Sequence, residues 1–187
     1  MHQARLNDAA IALYRVFYAA DVKHGIFGGY AIGVLGGPRE SKDIDCIASI
    51  SKQDAIEILD GKEGFHYVDQ TQDDYVAFLW SDSPKKERPV LVEIFVEKFP
   101  GKIPMSWVID LDIVSHQRFQ LGARFGMENV EPTYKHVAGQ ILSNQYAAIL
   151  DPVCIFKGKL RAAAARAKFH DSADLQWLEQ KFGVTLQ

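Results

Sequence analysis

Apolar positions recur at helical spacing through residues 4–22: Leu6, Ala9, Ala10, Leu13, Phe17 and Ala20 fall on one side of a 3.6-residue period, which predicts an amphipathic helix. Ile26 and Phe27 then start a short strand that runs into Gly28-Gly29, and residues 30–35 predict a short helix stopped by Gly36-Gly37-Pro38. Residues 43–49 alternate as a strand, and Ser51 is placed to cap a helix running to about residue 59. Strands are predicted at 65–69 and 75–80, joined near Gln72-Asp73, and residues 81–89 form a polar loop with two prolines. The run 90–96, Val-Leu-Val-Glu-Ile-Phe-Val, is the clearest strand in the chain because β-branched residues fill it. Between residues 98 and 140 the pattern is broken by Pro100-Gly101 and Pro104, with short strands expected near 109–114. An Ala-rich helix over 155–168 and a second helix over 172–181 follow.

Mixed helices and strands followed by helices predict an α+β fold, a mixed sheet flanked by helices with a helical C-terminal part. Residues 1–135 are expected to form the core and residues 136–187 the helical part, packed on it as one compact unit. A chain of 187 residues buries a sizeable core without disulfides or structural metals. Its net charge of -3 speaks against a general nucleic-acid binder, which relies on excess Lys and Arg, although a local basic patch remains allowed. The two cysteines form no CxxC pair, Cys46 sits in an apolar run, and residues 1–5 lack the apolar stretch of a signal peptide. No run approaches the ~20 apolar residues of a membrane span. A cytoplasmic protein is therefore expected.

The candidate chemistry lies between residues 28 and 45 and at residue 93. In Asp43-Ile44-Asp45 both carboxylates point to one face of the strand, with Cα atoms roughly 6.5–7 Å apart, while Ile44 and Cys46 point to the other. Two carboxylates on one face repel unless a cation lies between them, and Mg²⁺ is held through one or two carboxylates plus substrate phosphates. Glu93 is an acid in the middle of an otherwise apolar strand, where an unpaired charge is costly, so it is the candidate third carboxylate. Gly28-Gly29 at a strand-to-helix junction permits a close approach by phosphate. Arg39 is a candidate to neutralise a triphosphate, with Ser41 and Lys42 assisting. Taken alone, each feature has an ordinary explanation: an Asp-x-Asp pair is usually a solvated strand end, and a Gly-Gly pair usually a turn.

Together, Gly28-Gly29, Arg39-x-Ser41-x-Asp43-Ile44-Asp45 and Glu93 resemble the nucleotidyltransferase superfamily related to DNA polymerase beta. Ser stands where Thr is commoner and Glu where Asp is commoner. The segment from Lys159-Leu160 through Arg166 to His170-Asp171-Ser172-Ala173-Asp174-Leu175 resembles the bacterial abortive-infection and toxin–antitoxin nucleotidyltransferases and their relatives. His170 takes the place of a usual basic residue.

The resemblance implies a nucleotidyltransferase fold with a magnesium (or manganese) site at Asp43, Asp45 and Glu93. It implies nucleotide contacts at Gly28, Gly29, Arg39, Ser41, Lys42 and Lys159. Asp171 is then a base or a substrate contact; read from the residues alone it is equally an N-cap of the last helix. The implied activity moves an NMP from an NTP, ATP among the candidates, to an RNA end, a protein side chain or a small-molecule hydroxyl. The rival reading is an inactive fold that binds a nucleotide or a partner, in a toxin–antitoxin or defence system. Lys157 and Arg161 read as a solvated helix face, whereas Lys159 and Arg166, seven apart, share a face. His24, His66, His116 and His136 show no metal-ligand spacing and read as structural, and Trp80, Trp107 and Trp177 as core or interface.

Overall fold

The computed structural model describes residues 2–72, 75–83, 87–98, 127, 130–166 and 169–183. The expected strands near 109–114, together with His116 and Trp107, lie outside them. The described elements run α1 (His2–Ala19), β1 (His24–Phe27), α2 (Gly28–Val34), β2 (Asp43–Ser51), α3 (Lys52–Leu59), β3 (Phe65–Val68), β4 (Tyr75–Trp80), β5 (Val90–Lys98), β6 (Thr133–Ala138), β7 (Asn144–Ile149), α4 (Pro152–Arg166) and α5 (Phe169–Phe182).

The strands form one mixed sheet in the order β3-β4-β5-β2-β1-β7-β6. β2 runs parallel to β5, and β1 parallel to β7; the other neighbours are antiparallel. Registers Ile26↔Cys46, Cys46↔Ile94 and Val76↔Ile94 bring one apolar face together across four strands. Every one of those residues is buried, and α1 and α3 pack over this face. Because side chains alternate along a strand, Asp43, Asp45 and Glu93 emerge on the opposite face, half-exposed.

Helix α1 and the expected domain boundary depart from the sequence expectation. Helix α1 stops at Ala19 rather than continuing to residue 22. Asp21 adopts φ 54°, its N–H donates to the Tyr18 carbonyl, and the Val22 N–H donates to the Phe17 carbonyl, which is the Schellman termination. The same helix is buried on all sides from Leu6 to Leu13, Asn7 and Asp8 included, so it is a core helix and not a surface one. Asp8 meets this burial by accepting the backbone N–H groups of Gln140, Ile141 and Leu142 in the β6–β7 turn, at 2.9–3.2 Å. Finally, the boundary placed at 135/136 falls inside β6. β6 and β7 belong to the sheet, so the helical part begins at Pro152. These two strands gave weak signals. β6 is an edge strand in which only Val137 is buried, and β7 ends in Ala147-Ala148-Ile149, all buried, without alternation.

Helices α4 and α5 pack on one another, and α4 rests against α2. Ser51 caps α3 as expected, accepting the Asp54 N–H at 3.1 Å. Trp80 is buried and donates through its indole N–H to the Glu63 carbonyl at 2.8 Å, a structural role. Among the described residues no helix is long and apolar enough to cross a membrane, and both cysteines are free thiols.

Candidate active site

The site is built on the parallel pair β2–β5. Their register sets Asp45 beside Glu93 and Asp43 beside Leu91, so two carboxylates stand side by side on strands about 4.8 Å apart, with a third one step along β2. Burial, and then the charge of Asp43, push the Glu93 carboxyl above its ordinary value. Repulsion of that kind is what a cation between the acids relieves.

Among the described residues no group of three or more His, Cys, Asp or Glu is arranged as a ready-made ion cage. The donors present are hard carboxylate oxygens. That suits Mg²⁺, which retains waters and takes phosphate oxygens to complete its shell.

On the other side of β2, the end of β1 turns directly into α2. Phe27 pairs with Asp45, and the next residue, Gly28, has φ +71°. A β-carbon at Gly28 would collide with the Asp45 carboxylate, so both backbone conformation and space require glycine there. At Gly29 a β-carbon would lie 3.0 Å from the Ser41 hydroxyl oxygen and 3.1 Å from the Arg39 guanidinium carbon. The bare glycine backbone thus lets Arg39 and Ser41 lie against the turn. Buried Ser41 donates its hydroxyl hydrogen to Asp43 Oδ1 at 3.0 Å, fixing that carboxylate. The structure therefore brings Gly28, Gly29, Arg39, Ser41, Asp43, Asp45 and Glu93 together. Lys42 is exposed beside them.

The C-terminal residues form a second cluster, joined to the first through Arg39. Lys159 Nζ lies 3.1 Å from Asp171 Oδ1 and 2.7 Å from Asp174 Oδ2, and Arg39 reaches the same Asp174 oxygen at 2.5 Å. Lys159, Asp171 and Asp174 are all buried. Helix α5 begins at Phe169, so Asp171 lies inside its first turn and is not its N-cap. Its buried carboxylate is engaged by Lys159, and Lys159 spends its charge on two carboxylates. Asp174 is the functional candidate to which sequence reading, meeting it only within the C-terminal motif, gave no role. The available signal was its spacing of three from Asp171, which puts both acids on one helix face. Lys157 is exposed, and the Arg166 side chain lies outside the described residues.

No family model matches the chain, and no curated protein matches it. Solved structures do. An antigenic nucleotidyltransferase-like protein from Paracoccidioides brasiliensis superposes with a TM-score of 0.57 at 16% identity, over 92% of this chain and 75% of that one. The antibiotic-resistance factor ANT(2'')-Ia superposes with a TM-score of 0.52 at 12% identity, over 95% of this chain and 85% of that one. At such identities the likeness concerns the fold, and it agrees with a mixed sheet that carries its acids beside a glycine turn: the chain has the nucleotidyltransferase fold.

Proposed function

We propose that the protein is a nucleotidyltransferase that moves an NMP from an NTP to an acceptor hydroxyl with release of pyrophosphate, and that it works with Mg²⁺ or Mn²⁺. The observation that carries this reading is the β2–β5 register, which sets Asp45 against Glu93 with Asp43 one step away, beside Gly28. Asp43 and Asp45 would hold the metal ion, with Glu93 as the third oxygen donor. A divalent ion bound there supplies Lewis-acid activation of the acceptor oxygen and charge neutralisation at the phosphates.

The chain's own residues do the positioning. Ser41 holds Asp43 in one orientation through its hydrogen bond. Gly28 and Gly29 keep side chains out of the space between the turn and the carboxylates. Arg39, packed against the glycine turn, supplies a positive charge for the phosphates of the nucleotide. In the transfer the acceptor oxygen bonds to the α-phosphorus, the bond from that phosphorus to the bridging oxygen breaks, and pyrophosphate leaves. The acceptor proton needs a base, and the half-exposed Glu93 carboxylate, set beside Asp45 on the neighbouring strand, is the candidate to take it. Asp171, enclosed with Lys159, is the weaker candidate for that task.

The test is incubation of the whole chain with each NTP labelled at the α-phosphate, Mg²⁺ or Mn²⁺, and fractions of RNA, protein and small metabolites. Metal-dependent transfer of label to one fraction, lost in Asp45→Asn, supports the reading and names the acceptor class. Nucleotide binding with no transfer to any fraction favours the inactive binding module instead.

A further inference from the structure

We propose that Asp174 is a positioning residue of the nucleotide site: it holds the Arg39 guanidinium against the Gly29 turn, with Lys159 as the counter-ion that keeps Asp174 from repelling the substrate. This rests on the nucleotidyltransferase reading and adds a residue and a division of labour to it.

Arg39 is the most exposed member of the C-terminal cluster, with 28% of its side chain accessible, whereas Asp174 is 5% and Lys159 7% accessible. The guanidinium is pinned from two sides. Its carbon and Nε pack within 3.1–3.2 Å of the place a Gly29 β-carbon would occupy, and its NH1 donates to Asp174 Oδ2. A guanidinium carries five N–H donors in a planar fork, so one donated to Asp174 leaves others for phosphate oxygens. Holding that fork in one place before substrate arrives removes the ordering that a long, mobile side chain would otherwise undergo on binding.

A bare carboxylate behind the arginine would work against a polyanionic substrate. The same Asp174 oxygen also accepts from Lys159 Nζ, and Lys159 in turn engages Asp171. The group Arg39, Lys159, Asp171, Asp174 thus has two positive and two negative members, and its one substantially exposed charge is the positive one on Arg39. Lys159 stands behind the site as a counter-ion, and Arg39 faces the nucleotide. Asp174 lies 135 residues from Arg39 in the sequence, so α5 completes a site whose other parts come from the first half of the chain. The ordinary alternative is that the pair only staples α5 to the core.

The two are separated by a double-mutant cycle on the full chain, comparing wild type, Arg39→Ala, Asp174→Asn and the double variant. Affinity for Mg²⁺ complexes of the four α,β-methylene nucleoside triphosphates is measured by calorimetry, and the Arg39 Nε–H signal by NMR. If Asp174 acts through Arg39, each single variant loses about tenfold in affinity and the double variant is no weaker than Arg39→Ala alone. The Arg39 signal is protected from exchange in the wild type and loses that protection in Asp174→Asn. Losses that add to about a hundredfold, or an Arg39 signal indifferent to Asp174→Asn, overturn the proposal. Should Asp174→Asn not fold, Asp174→Glu keeps the charge for Lys159 and displaces the carboxylate by one methylene. It is expected to weaken nucleotide binding at unchanged Tm, and unchanged affinity overturns the proposal. A wild type that binds none of the four nucleotides defeats the nucleotidyltransferase reading and the positioning role with it. A wild type that binds them while Asp174 is dispensable defeats the positioning role alone.

Discussion

Replacing Lys159 by methionine removes the cation that two buried carboxylates share. Asp174 retains Arg39, but Asp171 is fully buried and loses its lysine partner. Breaking a buried ion pair by removing one member costs about 3–5 kcal/mol, because the charge left behind is uncompensated. For a chain of this length each kcal/mol lowers Tm by roughly 2–4 °C, so a fall of roughly 6–20 °C is expected for Lys159→Met. Adding Asp171→Asn removes the buried charge that has lost its lysine and is expected to restore more than half of the loss.

The pH dependence gives a second readout of the same variant. With the lysine gone, the charged form of the buried Asp171 loses its cation, so the folded state disfavours that charge more in Lys159→Met than in the wild type. The deficit of Lys159→Met is then smallest near and below the unfolded aspartate value of about 3.9 and grows as pH rises above it. Urea titrations of the wild type and both variants, at several pH values, measure all of this. A Lys159→Met protein within about 1 kcal/mol of wild type, or a double variant no more stable than the single one, refutes the reasoning. It would mean that the lysine is not committed to the two acids and remains available to phosphates.

Three further outcomes follow from groups elsewhere in the fold. Glu93→Gln removes a like-charge neighbour of Asp43 and Asp45, and in metal-free buffer at neutral pH it should stabilise the protein by roughly 0.2–1 kcal/mol. Since the Glu93 pKa is raised in the folded state, its unfavourable contribution appears as pH climbs above the ordinary glutamate range, so the gain should vanish in acid, as thermal melts at both pH values would record. His24 is buried, its Nδ1 lies 2.9 Å from the Val22 carbonyl oxygen, and desolvation lowers its pKa to about 4. The unfolded chain takes up that proton first, so stability should fall as pH drops from about 6.5 to about 4, by roughly 3 kcal/mol in all, and His24→Phe should lack this component of the acid response. Asp8→Ala strands the Ile141 and Leu142 backbone N–H groups in the β6–β7 turn, while the Gln140 N–H keeps the Ala4 carbonyl; a loss of about 3 kcal/mol in urea unfolding is expected, with early hydrogen exchange at Ile141 and Leu142.

The sequence could be read wherever its signals were local. The β-branched run of β5, the Ser51 cap and the glycine pair at the end of β1 each state their structure within a few residues, and the structure contains all three. The alternation of Asp43-Ile44-Asp45 fixed which side chains share a face. It could not give the register with β5, a pairing between residues nearly fifty apart. Strands β6 and β7 went unread for a physical reason: an edge strand exposes Thr133, Tyr134 and His136, and the buried end of its neighbour is made of alanine, a poor strand former. The ion cluster failed differently. Lys159, Asp171 and Asp174 sit on two helices at positions that also suit a solvated face. Only the tertiary packing of α4 on α5, and of α4 against α2, buries their charges and brings Asp174 to Arg39.

The central claim is that Asp43, Asp45 and Glu93 act together through a divalent ion on a nucleoside triphosphate. It is tested most directly by metal-dependent pyrophosphate release, measured for the wild type and for Asp43→Asn, Asp45→Asn and Glu93→Gln at matched folded fractions. The account predicts release that needs Mg²⁺ or Mn²⁺ and falls at least a hundredfold in each variant, consistent with the 10²-fold and greater losses seen when a group stabilising transition-state charge is removed. Release that persists in chelator, or that survives loss of either aspartate, would contradict it.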